Sequence, residues 1–154
     1  MAWVPGAEWD VDVVVLPHAA SFPLPSYAHD GDAGMDLRAA IEDEMWIAPG
    51  ERALVPTGLR VALPRHHELQ IRTRSGLALK RGVVVANSPG TIDSPYRGEI
   101  GVILLNTGRV PFEVVPRSRI AQAVLAPVSY VRWRRVEELP ETERGEGGFG
   151  STGA

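Results

Sequence analysis

The chemistry of this chain is expected around Asp93, a carboxylate near the middle of the segment 90–99. Two apolar runs, 83–86 and 100–105, flank the segment, and their length and β-branched content are typical of buried strands. Turn-forming residues precede Asp93 and Pro95 follows it, so we expect an antiparallel hairpin with a wide loop. Asp93 in such a loop either accepts hydrogen bonds from neighbouring amides or acts as a base, and the local sequence leaves both interpretations open.

A second candidate is an anion site at Arg74, Ser75 and Gly76, between a predicted strand and a short predicted helix. The first amides of a helix have no intrahelical acceptor, and an adjacent guanidinium and hydroxyl would complete a cradle for phosphate. The alternative is that Ser75 is an ordinary N-cap beside a solvated arginine.

The C-terminal segment 137–154 is a third candidate, expected to be mobile in the absence of a ligand because it is rich in glycine. Arg144, bare glycine amides and the hydroxyls of Ser151 and Thr152 could surround a phosphate. Phe149 has no hydrophobic core nearby in the sequence to pack against, so it is either exposed to solvent or stacks on a planar ring. A plain flexible tail remains the alternative.

Several further polar residues could contribute to a site. Gln122 is expected to open an apolar strand and, taken alone, to face solvent. Asp30, Asp32 and Asp36 could assist a divalent cation, although Mg²⁺ usually takes few protein ligands. The adjacent histidines at 66–67 have no third ligand in view, which argues against a metal site there.

Short strands separated by turn residues must position these groups. The predicted strands are 11–16, 35–39, 45–47, 52–56, 59–63, 68–73, 83–86, 100–105, 112–115, 120–126 and 128–133. Strands of this length and spacing predict a β-sandwich or barrel. We expect an N-terminal extension over 1–10, a β domain over 11–136 and the glycine-rich lid over 137–154.

Composition narrows the class of protein. A chain of 154 residues fits one domain, and a net charge of −3 argues against general polyanion binding. The absence of cysteine excludes disulfides, a thiolate nucleophile and a zinc-thiolate site, and is compatible with the reducing cytoplasm. Residues 1–9 do not have the pattern of a signal peptide, and no apolar run reaches the length of a membrane span.

Taken together, the motifs resemble those of the trimeric dUTP pyrophosphatase (dUTPase) family over about 11–153. Five family motifs occur in order, at 33–37, 74–78, 90–99, 119–122 and 144–153. The resemblance implies an all-β, distorted jelly-roll (β-clip) fold, in which three chains build three shared active sites. No stable nucleic-acid or membrane partner is expected.

The resemblance also implies residue roles. Asp93 would orient and deprotonate the water that attacks the α-phosphorus of dUTP, releasing dUMP and pyrophosphate. Tyr96 would pack against the deoxyribose and leave no room for a 2′-hydroxyl. The uracil edge would be read by Asn87 and by the backbone at Thr91, Ile92 and Gly101.

Phosphate contacts are implied from two other parts of the chain. Arg74, Ser75 and Gly76 of a neighbouring chain would hold phosphates, with Gln122 close by. In the tail, Arg144, Ser151 and Thr152 would hold the γ-phosphate, and Gly150 would contact the substrate. Phe149 would stack on uracil as the tail closes over the nucleotide. Mg²⁺ would be coordinated by the triphosphate. Asp36 would act on the ion through water or by fixing nearby groups.

Two alternatives keep the same fold. A dCTP deaminase, alone or bifunctional with dUTPase activity, needs a glutamate on the strand after the hairpin, where this chain has Ile103. A non-catalytic nucleotide-binding regulator is the other. The chain departs from the family pattern at Thr73, where proline is common, and in its tryptophan-containing N-terminal extension.

Overall fold

Short antiparallel strands make up most of the regular structure, as the spacing of turn residues predicts. A computed structural model describes residues 8–148. In this part of the chain the strands are β1 (Asp12–Val15), β2 (Met35–Arg38), β3 (Met45–Ile47), β4 (Arg52–Pro56), β5 (Leu59–Ala62), β6 (His67–Arg72), β7 (Val83–Val85), β8 (Gly90–Asp93), β9 (Gly101–Asn106), β10 (Phe112–Val114) and β11 (Arg119–Pro127). The helices are a 3-10 turn, Pro17–Ala19, and α1 (Ser75–Arg81). The predicted all-β class is therefore confirmed.

Two larger sheets and two separate strand pairs contribute side chains to the core. The larger sheets have the orders β2-β11-β6-β8 and β4-β9-β7, and the pairs are β1-β5 and β3-β10. Side chains alternate between buried and partly exposed along β6 and β9, as expected for strands with one face on a core. Inward side chains of both sheets, including Leu37, Ile71, Val102 and Leu104, belong to one buried cluster. Strand β8, which ends at Asp93, lies at the edge of the four-stranded sheet.

The predicted hairpin around Asp93 is confirmed, but its loop contains a strand that was not predicted. β7 and β9 pair antiparallel, with Val85 opposite Leu104. Between them, β8 leaves this sheet and pairs with β6, from Gly90 opposite Ile71 to Asp93 opposite Glu68. Turn residues on both sides of β8 suggested a loop, whereas its pairing depends on a strand about 20 residues earlier in the chain.

The prediction of a last strand over 128–133 is wrong. β11 ends at Pro127, which is opposite His67, the first residue of β6. The amide of Val128 still donates to the carbonyl of His66 (2.8 Å), and the pairing stops there because β6 extends no further. Residues 129–140 are then exposed.

The short helix is confirmed, although its N-cap is not Ser75. Arg74 has an extended backbone (φ −81°, ψ 126°) and is the cap, so Ser75 is the first helical residue and its interpretation as the N-cap is wrong. The reason is that Arg74 continues the extended conformation of β6. Gly82 ends the helix as predicted, in the left-handed region at φ 66° that glycine adopts without strain.

The described end of the N-terminal extension contacts the β domain. The ring of Trp9 packs on the imidazole of His67, with centroids 4.5 Å apart, and His66 meets Tyr130 edge-on at 5.4 Å. Both adjacent histidines thus contact aromatic rings. Among the helices of residues 8–148, none has the length and apolar character needed to cross a membrane.

Candidate active site

Asp93 is an exposed carboxylate on a backbone that is held from two sides. It ends β8 opposite Glu68, and its carbonyl accepts a hydrogen bond from the amide of Tyr96 (3.0 Å), which closes a turn. Its side chain lines an open groove of about 920 Å³ together with Thr91 and Arg97. A water-accessible carboxylate on a restrained backbone is a candidate general base.

Tyr96 is fixed by its own loop. Its hydroxyl donates to the carbonyl of Glu99 (2.9 Å), and a Cβ at Gly98 would collide with that hydroxyl. Glycine at 98 is therefore what permits this position of the ring. The side chain is 44% exposed, so part of the ring remains available to pack against a ligand.

Asn87 lies against the start of β8. A Cβ at Gly90 would stand 3.2 Å from Nδ2 of Asn87 and 3.3 Å from Cβ of Ile71, so the bare glycine lets the amide side chain approach the sheet. Further along β8, Thr91 is exposed and Ile92 packs against the core. The strand is thus anchored by one face while the other stays accessible.

Gly101 begins β9 opposite Pro56 of β4. A Cβ at Gly101 would come within 2.7 Å of Cδ1 of Leu54, so a larger residue here would displace that side chain. The groups predicted to read a base therefore lie on β8, in the turn before it and at the start of β9.

A separate cluster joins Asp36 to two arginines. Oδ1 of Asp36 accepts from Nε of Arg74 (2.8 Å), and Oδ2 lies 3.6 Å from Nη1 of Arg119. Arg74 also donates through Nη1 to the carbonyl of Arg119 (3.2 Å). Two guanidinium groups and one carboxylate leave one net positive charge, which suits an anionic ligand. Asp36 and Arg74 are each about one-third exposed, so a ligand can reach the cluster.

Gln122 belongs to the same junction. It lies within β11, opposite Asp36 of β2 and Arg72 of β6, so the prediction that it opens a strand and faces solvent is wrong. Its Nε2 donates to the carbonyl of Thr73 (3.0 Å). A Cβ at Gly34 would collide with Oε1 of Gln122, which explains why the smallest residue precedes β2.

Thr73 is a contributor that sequence reasoning missed. Its hydroxyl accepts from the amide of Val85 (2.8 Å), and its amide donates to the hydroxyl of Ser88 (3.4 Å). These bonds tie the residue before Arg74 to β7 and to the turn that holds Asn87. Its replacement of the family's common proline was the available signal, because proline has no amide to donate.

Ser75 and Gly76 are exposed at the first turn of α1. A Cβ at Gly76 would meet open space, so no neighbouring group of the described chain requires glycine there. The first amides of the helix lack intrahelical acceptors and adjoin the guanidinium of Arg74. The free amides at this end of the helix can therefore donate hydrogen bonds to the oxygens of a ligand.

The tail is described as far as residue 148. Nε of Arg144 donates to the carbonyl of Gly147 (2.9 Å), and the amide of Gly147 donates to the carbonyl of Arg144 (3.1 Å). Arg144 is thus held in a local turn. The remaining predicted tail residues lie outside the described part of the chain; they are Phe149, Gly150, Ser151 and Thr152.

The fold and these clusters define an all-β protein with an exposed carboxylate in a hairpin and a separate junction of net positive charge. A family model described as dUTPase matches residues 20–153. The chain belongs to the dUTPase family, and the predicted dUTPase-type fold is confirmed.

Relatives named deoxyuridine 5′-triphosphate nucleotidohydrolase are similar over nearly the whole chain. The one from Methylocella silvestris is 56% identical over 141 residues, covering 90% of this chain and 88% of the relative. The one from Rhizobium rhizogenes is 53% identical over 145 residues, covering 93% of both. A solved structure of the Staphylococcus bacteriophage 80alpha dUTPase, determined with dUpNHpp, has a TM-score of 0.83 at 26% identity and covers 94% of this chain and 99% of the phage chain.

Proposed function

We propose that this protein hydrolyses dUTP to dUMP and pyrophosphate with Mg²⁺, which keeps uracil out of DNA and supplies dUMP for thymidylate synthesis. Membership of the dUTPase family supports this activity. The structural observation that carries the proposal is the exposed Asp93 carboxylate, which lies in the same turn as Tyr96, whose hydroxyl is held by the carbonyl of Glu99. A cytoplasmic location stays a prediction.

Asp93 is the proposed base. Its carboxylate accepts a hydrogen bond from a water molecule and takes the proton as the water oxygen bonds to the α-phosphorus. The bond between that phosphorus and the bridging oxygen breaks, and pyrophosphate leaves with the bonding electrons. The backbone of Asp93 is held by β6 and by the amide of Tyr96. Because the position of the residue is already restrained, less entropy is lost in placing the carboxylate when the reaction occurs.

Base and sugar selection are proposed for the loop around Asp93. Asn87 and the backbone at Thr91, Ile92 and Gly101 would pair with uracil. Cytosine would leave such groups unpaired, at a cost of about 1–3 kcal/mol for each buried group. Tyr96 would pack on the deoxyribose where a 2′-hydroxyl would otherwise lie.

Phosphate binding is proposed for the Asp36 junction. Arg74 supplies charge, the amides of Ser75 and Gly76 supply donors, and Gln122 fixes the backbone before them through Thr73. Asp36 orients Arg74 through their ion pair. These groups stabilise negative charge that increases at the phosphates during hydrolysis.

Mg²⁺ neutralises phosphate charge when bound. Residues 8–148 contain no group of three or more acidic or histidine side chains that could hold a metal ion, which suits an ion carried mainly by the triphosphate and water. Asp36 stays the predicted indirect contact. Its carboxylate oxygens already contact Arg74 and Arg119, which favours a water-mediated role over direct ligation.

The distance between the two clusters supports a homotrimer with shared sites. Asp93 lies opposite Glu68 near the start of β6, whereas Arg74 follows the end of that strand in an extended conformation. Six residues of extended chain span about 20 Å. One triphosphate cannot place its α-phosphorus at Asp93 and its other phosphates at Arg74 of the same chain. We therefore assign the two residues of each site to different protomers, with the tail, from Arg144 to Thr152, closing over it.

The experiment is a parallel assay of dUTP, dTTP, dCTP and UTP with Mg²⁺ and after chelation by EDTA. We expect pyrophosphate release from dUTP and far slower release from the other three nucleotides. No turnover of dUTP would favour the non-catalytic regulator. Because Ile103 stands on β9 where a deaminase needs an acid, dCTP should yield neither ammonia nor dUMP; either product would favour the bifunctional alternative.

A further inference from the structure

We propose that His18 is a positioning residue that acts through Glu99 on Tyr96 and thereby strengthens discrimination between deoxyribose and ribose. The inference rests on the proposed function, because it uses Tyr96 as the residue that packs on the sugar. His18 lies far from the hairpin in sequence, and none of the roles described above involves it.

Glu99 is the residue through which the contact passes. Its Oε1 accepts one hydrogen bond from Nε2 of His18 (2.7 Å) and another from the amide of Gly58 (2.7 Å). Its carbonyl accepts the hydroxyl of Tyr96 (2.9 Å). The side chain of Glu99 thus anchors the loop to the body of the protein, while its backbone holds the tyrosine.

The position of His18 is itself well defined. It lies in the 3-10 turn Pro17–Ala19, and the amide of Leu16 just before it donates to the carbonyl of Gly58 (2.8 Å). Ala19 is fully buried, and a Cβ at Gly58 would collide with its methyl group. This close packing fixes the imidazole beside the amide of Gly58, so both donors converge on one carboxylate oxygen.

This anchor is one of a small number of bonds that tie the described loop to the body of the protein. After Glu99 the chain is tied to β5, since the amide of Ile100 donates to the carbonyl of Leu59 (2.8 Å). Before Glu99, Nε of Arg60 donates to the carbonyl of Arg97 (2.6 Å), and Nη1 of Arg97 donates within the loop to the carbonyls of Ser94 (2.6 Å) and Tyr96 (2.8 Å). The peptide between Glu99 and Ile100 is therefore restrained at one end by β5 and at the other by the Glu99 side chain. Loss of one of the two donors to the Glu99 carboxylate should let this peptide rotate and release the tyrosine hydroxyl.

Sugar discrimination is the property that such a release would change. The Tyr96 ring can exclude a 2′-hydroxyl only if it stays in close contact with the sugar. Deoxyribose lacks this hydroxyl, so its binding tolerates a small displacement of the ring. A loss of general stability would lower turnover of both nucleotides in proportion. A displaced ring would instead lower the ratio of kcat/KM for dUTP to kcat/KM for UTP.

The test uses the full-length protein with His18→Ala and His18→Gln. Glutamine places an amide donor at about the reach of Nε2, so it should rescue the contact. We expect the dUTP/UTP ratio to fall about fivefold in His18→Ala, as loss of one charge-assisted hydrogen bond allows, and to stay near the wild-type value in His18→Gln. His29→Ala is the matched control, because His29 lies in an exposed loop and pairs with Asp32.

A second arm combines His18→Ala with Tyr96→Phe, which keeps the ring and removes the hydroxyl. If His18 acts through that hydroxyl, the double variant should have the ratio of Tyr96→Phe alone. Independent, multiplicative effects would overturn the proposal, as would an unchanged ratio in His18→Ala.

If His18→Ala does not assemble, His18→Asn replaces it. Asparagine keeps a polar side chain but is too short to reach Glu99, so the same fall in the ratio is expected. Wild-type protein that fails to hydrolyse dUTP would refute the proposed function and this inference together, whereas an active wild type with an insensitive His18 would refute the inference alone.

Discussion

Oδ1 of Asp36 and Nε of Arg74 are 2.8 Å apart, in an ion pair that joins β2 to the residue before α1. The two residues are 38 positions apart in the chain, yet the pairing of β2 and β6 with β11 brings them together. The pair orients a guanidinium that would otherwise sample many rotamers. It therefore links the first motif of the chain to the second.

Asp36→Asn tests this orientation. The amide keeps the shape of the side chain but removes the charge that holds Arg74, so we expect KM for dUTP to rise about tenfold, as the loss of a hydrogen bond to a charged group allows, with a smaller effect on kcat. Steady-state kinetics at fixed Mg²⁺ measure both constants. Asp32→Asn, in an exposed loop, is the control, and an unchanged KM in Asp36→Asn would refute the orienting role.

Asp93→Asn tests the base. The amide cannot accept the proton, so kcat should fall at least about a hundredfold, whereas binding of the analogue dUpNHpp, measured by calorimetry, should be largely retained. Asp30→Asn controls for loss of one surface carboxylate. If Asp93→Asn hydrolyses dUTP as fast as the wild type, Asp93 is not the base.

Truncation after Pro140 tests the lid. Residues 141–146 are exposed, so the truncated chain should keep the melting temperature of the full-length protein and its assembly state by size-exclusion chromatography. Loss of substrate closure should lower kcat/KM about a hundredfold. Deletion of Ala154 alone, outside the last motif, is the matched control. Unchanged turnover after the longer truncation would contradict the lid.

Asn106→Ala tests a buried polar anchor of the fold. Asn106 is fully buried, donates through Nδ2 to the carbonyls of Ile47 and Val110 (both 2.9 Å), and accepts from the amide of Gly108 (2.8 Å). Its removal leaves these groups unpaired, so the free energy of unfolding should fall by about 2–3 kcal/mol.

Urea denaturation at a fixed protein concentration measures this change, because assembly makes stability depend on concentration. Asn106→Asp should be worse still, since it places an oxygen against two carbonyl oxygens in a buried site. Glu44→Ala, in an exposed turn, is the control. If Asn106→Ala unfolds at the same urea concentration as Glu44→Ala, the anchor is unimportant.

The local parts of the fold could be predicted because their signals lie within a few residues. The bounds of β3 and β4 match the predicted strands 45–47 and 52–56, and Gly82 ends α1 where a left-handed residue was expected. The family and its activity were also within reach, because five motifs occur in a fixed order. Phe149 and its neighbours stay predictions, since they lie outside residues 8–148.

By itself, then, the sequence determined most of the strand pattern, the all-β class, the family and Asp93 as the proposed base. Only the tertiary structure decided that β8 joins β6, that Gln122 supports the backbone before Arg74, and that Glu99 connects His18 to Tyr96. It also separated Asp93 from Arg74 along one strand, which argues for a shared site. The reason is physical: turns and strand propensities act over short stretches, whereas strand partners and side-chain contacts join residues that only the folded chain brings together.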